Sequence, residues 1–251
     1  MLGQSDNIWD ADINDLKQGY KENANAYTCL LCGQRLEKGL VFHHEDVFYE
    51  AERFMKVHIE TTHQSVFDYL IDMDKKVTGL TDHQNKLLRL FYQGKNDTEI
   101  QKELEVGSTS TIRHHRFALK EKERQAKTFL VLMELLKEKD EHAPAFVPPH
   151  HTATMLDDRY NVTFEEQNSI IAKYFSTNKE KLTKFPTREK QKIVILREIA
   201  NRLEDNKTYT EKELNERLKR LYDDYVLIRR YLIEYGFVDR KQDGSQYWLR
   251  K

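Results

Sequence analysis

Two cysteines are all the chain has, and they stand as Cys29-x2-Cys32 in YTCLLCG. So few thiols exclude a disulfide scaffold and make a reducing cytosol the natural home. The pair fits half of a metal site instead. Two thiolates from a tight knuckle, joined by the imidazoles of His58 and His63, complete a tetrahedral Zn2+ shell. Gly33 suits the turn that such a knuckle needs. LVFHHEDVFY predicts two short strands with a polar turn, and EAERFMKVHIETTH predicts the helix that follows. His43 or His44 is the alternative for one ligand. A closed four-ligand site leaves no open position for substrate, so the zinc is expected to be structural. A small module without a large core needs such a staple.

This order, knuckle then strands then a helix ending in His58-x4-His63, resembles a two-Cys, two-His zinc finger. The gap of 25 residues between Cys32 and His58 is about twice the usual finger spacing. Two other readings of the same residues are disfavoured. A redox pair wants a strand–helix–strand setting that the pattern lacks. A nuclease of the His-Asn-His type wants an Asn between His44 and His63, where none occurs.

The chain is 251 residues long, 39% hydrophobic and 33% charged, which favours several small modules over one large core. Nine Gly and four Pro leave few breakers, so long helices are expected. No run approaches a membrane span, and the first twenty residues do not read as a signal peptide. The expected class is mainly α and multidomain. Its parts are a zinc-stapled ββα-like module over 1–76, a helix-turn-helix with a long following helix over 77–140, a linker over 141–161, and a winged-helix-like α+β domain over 162–251. Three of the four Pro fall in the linker. The net charge of −1 conceals a partition. Residues 1–79 carry 8 Lys and Arg against 14 Asp and Glu, whereas residues 184–251 carry 17 against 12. An acidic first module is a poor surface for phosphate.

The middle stretch runs GLTDHQNKLLRLFYQGKNDTEIQKELEVGSTSTIRHHRFALKEK. Thr81 can cap a first helix that Gly94 ends, Asn96 or Asp97 a second, and Ser108 or Thr109 a third, with Gly107 making the turn between the last two. This resembles the DNA-binding domain of LuxR-type regulators and sigma-factor region four. Leu80-Thr81, Leu87-Leu88, Gly94, Asp97, Glu99-Ile100, Leu104, Ser108, Thr111-Ile112, His115 and Leu119 carry the resemblance. It departs by one extra residue between Leu104 and Ser108 and by Gln101 where Ala is usual. The resemblance implies a third helix in the major groove. The hydroxyls of Ser108, Thr109, Ser110 and Thr111 would then lie near phosphate, Arg113 or His114 at base edges, and Arg116 and Lys120 outward.

Beyond Lys122 the helical pattern continues, with Ala126, Phe129, Leu130, Met133 and Leu136 at three and four spacing. The stripe suits either a homodimer seam or packing within the chain. In the last segment, Ile193 to Leu203 reads as a helix, Thr210 and Glu213 as a capping box opening a second, and DDYVLIRRYLIEYG as a third. A hairpin follows, tipped by Asp243-Gly244. That is a winged-helix order. YTEKELN, LIRRYLIEYGFVDR and DGSQYW also resemble a bacterial C-terminal domain family of unknown function, often fused to a helix-turn-helix. Arg229, Arg230, Arg240 and Lys241 could meet phosphate, or pair with Asp223, Asp224 or Glu234.

Together these features predict a bacterial, cytoplasmic transcription regulator that binds double-stranded DNA as a homodimer, with a possible protein partner at the C-terminal domain. The alternative is an adaptor that binds the transcription machinery or a phage or host factor. No Gly-rich nucleotide loop, Ser-His-Asp arrangement or apolar carboxylate pair points to an enzyme.

Overall fold

The computed structural model describes residues 8–250 apart from Asp10, His151, Thr177, Lys179 and Asn206. Residues 1–7 of the first expected module and Lys251 of the last lie outside the described residues. Among the described residues the fold is mainly α with three small antiparallel sheets. It divides into two compact units, one made of the stretches 1–77 and 145–251, the other of 78–144. Among the described residues no helix is long and apolar enough to cross a membrane.

The first stretch opens with α1 (Ile13–Gln18), capped by the Asp12 carboxylate and ended by Gly19 at φ 83°. Strands β1 (Tyr20–Glu22), β2 (Ala26–Cys29) and β3 (Arg35–Glu37) pair in that order. Strands β4 (Val41–His44) and β5 (Val47–Glu50) form the expected hairpin. Glu45 and Asp46 at its tip are both left-handed, with φ 46° and 62°, as a two-residue hairpin turn with the right strand twist requires. Helix α2 (Ala51–His63) follows, then the short α3 (Val66–Ile71) and α4 (Lys75–Thr78). Met55 and Ile59 of α2 pack with Tyr20, Leu31 and Leu36 in one small core. The module is thus larger than a finger. A three-stranded sheet precedes the hairpin and helix, and its strands of three or four residues are too short to show a period of two.

The unit 78–144 holds α5 (Asp82–Tyr92), α6 (Asp97–Glu103) and α7 (Thr109–Lys137). Leu87, Leu90, Ile100 and Ile112 form its core, with Phe91, Leu104 and Val106 against them. Thr81 with Gln84 and Asn96 with Glu99 make complete capping boxes on α5 and α6. The turn into α7 differs from expectation. Gly107 is not left-handed; Glu105 is, at φ 51°. The reversal falls directly after Leu104, where the last turn of α6 closes through the Glu105 and Val106 amides.

The last stretch contains α8 (Phe164–Tyr174), α9 (Glu189–Ala200), β6 (Thr208–Thr210), α10 (Glu211–Leu221), α11 (Tyr225–Glu234), β7 (Val238–Arg240) and β8 (Gln246–Leu249). After α8, the helices α9, α10 and α11 and the terminal hairpin follow in the expected winged-helix order. The expected hairpin gains a third strand, because β6 pairs with β8 to give the order β6-β8-β7. Ile195, Leu196, Ile199, Leu214, Leu218 and Leu232 are wholly buried between the helices.

The stretch expected as a linker does not behave as one from Ala145 on. The Val147 amide donates to the Val162 carbonyl at 2.8 Å, and Arg197 donates to the Pro148 carbonyl at 2.6 Å. The His150 ring stacks on Phe237 at 3.9 Å. Prolines have no amide to pair, so an extended segment can be tied down through its carbonyls, and composition alone does not reveal that.

Candidate metal centre and nucleic-acid interface

Cys29 ends β2 and Cys32 lies in the turn before β3. The knuckle closes through the Gly33 amide to the Cys29 carbonyl at 2.9 Å and the Cys29 amide to the Gln34 carbonyl at 2.8 Å. Gly33 takes φ 76° while buried, which a Cβ would oppose. His58 and His63 stand five residues apart on the last turns of α2. Cys32 Sγ lies 3.2 Å from His58 Nε2, and Cys29 Sγ lies 3.7 Å from His63 Nε2. All four donor atoms fall within 4.8 Å of one another, close enough to hold one metal ion and consistent with zinc. His43 and His44 instead lie on β4, against the Phe48 and Phe54 rings.

The electrostatics suit a bound cation. The hydrogen bond from Cys29, followed by those from His58 and His63, holds the Cys32 thiol far below its ordinary value. Its partner Cys29 is pushed up by that shared hydrogen bond and by burial. A cation binding both sulfurs would replace the shared proton. Burial, with the sulfur charges next, also raises the Tyr69 phenol, whose ring meets His63 edge-on at 5.8 Å. Thr62 was not anticipated. Its hydroxyl lies 3.2 Å from His58 Nδ1, where it can fix the ring so that Nε2 faces the sulfurs. The i, i+4 spacing of His58 and Thr62 on one helix was the available signal.

In the three-helix unit, Ile112 is buried and Leu119 half-buried, so α7 turns Arg113 and His114 to the surface. Ser108 holds the N-cap position, but its hydroxyl meets those of Ser110 and Thr111, at 2.6 and 3.3 Å, rather than a backbone amide. Thr109 is half-buried beside them. Arg116 is already engaged: it donates to Asp97 at 2.8 Å, and its guanidinium lies 3.7 Å over the Phe91 ring. It therefore ties α7 to α5 and α6. Lys120 pairs with Glu123 at 2.7 Å, both exposed. His115 meets His83 with their Nε2 atoms 3.2 Å apart, and burial with the neighbouring imidazoles lowers its pKa.

On the winged-helix surface, Arg229 is tied to Glu211 at 2.6 Å and to Asn215 at 2.5 Å, both on α10. Pairing was expected with Asp223, Asp224 or Glu234 if it occurred at all. Arg230, Arg240 and Lys241 are exposed.

Residues 181–249, from just before α9 to the end of β8, match the model of a family described as an uncharacterized protein conserved in bacteria (DUF2087). No curated protein and no solved structure matches the chain. Over those residues the chain is similar to a bacterial domain family.

Proposed function

We propose that the protein is a bacterial, cytoplasmic DNA-binding transcription regulator. In this reading the first turns of α7 enter the major groove, and a structural Zn2+ held by Cys29, Cys32, His58 and His63 staples the N-terminal module. The observation that carries the reading is the exposed Arg113 and His114 pair, two residues beyond the four hydroxyl residues 108–111, on a helix anchored by Ile112 to two short capped helices. Uncapped amides and hydroxyls at a helix start suit phosphate, and Arg is the commonest reader of guanine. The thiol-rich donor set favours zinc over harder cations, and its closure by four protein ligands favours structure over catalysis.

The test is a fluorescence titration against random-sequence DNA and a genomic fragment pool at low and high salt. Binding should weaken steeply with salt, and Arg113→Ala should lower affinity for an enriched fragment by about tenfold with folding retained. Salt-insensitive binding, or an Arg113→Ala variant that binds like wild type, would count against this helix as the reader. In the C-terminal domain Arg229 is held by α10, which leaves the exposed Arg230, Arg240 and Lys241 as the candidates for phosphate contact.

A further inference from the structure

Helix α7 runs on for 29 residues, about 43 Å, yet Ile112 is its only buried residue. The run from Phe129 to Leu136, interrupted only by Glu134, is exposed throughout, with Phe129 at 61% and Leu132 at 59%. That leaves roughly 600 Å² of apolar surface, at the upper limit for the largest patch of an ordinary monomer.

The stripe has an internal symmetry. Ala126, Phe129, Met133 and Leu136 are spaced three, four, three, and Leu130 and Leu132 flank it equally on either side. About residue 131 the pattern reads the same in both directions. A second copy laid antiparallel would set Phe129 against Met133, Ala126 against Leu136 and Leu130 against Leu132. That is the self-complementarity of a two-fold interface, with heptad-like seams. Charge selects the direction. Residues 120–127 carry four basic against two acidic groups, and residues 134–141 four acidic against two basic. An antiparallel pair brings the basic end of one copy to the acidic end of the other, with Arg124 opposite Glu138. A parallel pair would stack like on like. Val131 and Leu135 point away from this seam, so the pair buries less than the about 1,200 Å² that two whole runs would offer.

We propose that residues 126–136 of α7 form an antiparallel helix pair with the same segment of a second copy of the chain. The pairing stands independently of the DNA reading. Light scattering of the full zinc-loaded chain should give twice 30.0 kDa. Phe129→Glu with Met133→Glu should give the monomer mass with unchanged helical circular dichroism, because both side chains face solvent in the single chain. Direction is read by a short thiol cross-linker, with joined peptides identified by mass spectrometry so that Cys29 and Cys32 are told apart. A mixture of Ala126→Cys and Leu136→Cys chains should join at those positions. Ala126→Cys alone should not, since its two copies would sit about 15 Å apart along the axis. A monomeric wild type, a double variant that stays dimeric, or ready joining of Ala126→Cys to itself would each overturn the proposal.

Discussion

Gly236 follows α11 at φ 81°, and a Cβ there would lie 2.2 Å from the Thr152 carbonyl oxygen. Both the left-handed backbone and the close approach exclude a side chain. Gly236→Ala should therefore destabilise the chain by about 2–4 kcal/mol, read as a lowered urea midpoint. Glu105 is the converse case. It is an L-residue held at φ 51° in an exposed turn, a conformation that costs about 1 kcal/mol or more. Glu105→Gly should raise stability by roughly 0.5 kcal/mol once the greater backbone entropy of glycine is counted. A lowered thermal midpoint would show that the Glu105 side chain contributes more than the strain removes.

The helices owe their ends to side chains that the chain order makes plain. Asn96 accepts from the Thr98 and Glu99 amides, and Glu99 reaches back to the Asn96 amide at 2.7 Å. Asn96→Ala should cost about 1 kcal/mol, measured by denaturant titration of the full chain. The α10 box works alike. Thr210 holds the Glu213 carboxyl below the usual carboxylate range through backbone and side-chain hydrogen bonds. A lowered folded-state pKa means a contribution present above the ordinary carboxylate value and lost as pH falls through the folded one. Because Glu213 is exposed, the contribution is small and screened. Helix α7 combines two designs: its first turns are anchored through Ile112, and its second half has no buried residue.

For the whole molecule, a metal ion held by the four candidate donors would join the sheet that carries Cys29 to the helix that carries His58 and His63, beside a core of few residues. Removing the ion should loosen that module. A strong chelator should lower the first thermal transition and change the near-ultraviolet signal of Tyr20, Tyr27 and Tyr69. Cys32→Ser should abolish stoichiometric zinc in metal analysis. Acid should act in the same direction. Thiolate and neutral imidazole are the binding forms, so protons compete with the metal and zinc should be released as pH falls. Release that is independent of pH would point to a different donor set.

The sequence by itself determined the elements whose signals are local. The caps Thr81, Asn96 and Thr210, the hairpin over Val41–Glu50, the order of the last helices and hairpin and the four candidate metal donors could be read because each shows in short-range spacing. That the donors converge required the structure, since it depends on α2 packing against β2 and β3 across a gap that no local spacing controls. Tertiary packing also decided four things that composition left open. It bound the segment from Ala145 on, paired β6 with β8, engaged Arg116 with Asp97 and Phe91, and engaged Arg229 with Glu211 and Asn215. A long charged side chain looks the same in sequence whether it faces water or a partner on another helix. Only the close approach of elements distant in the chain makes the difference.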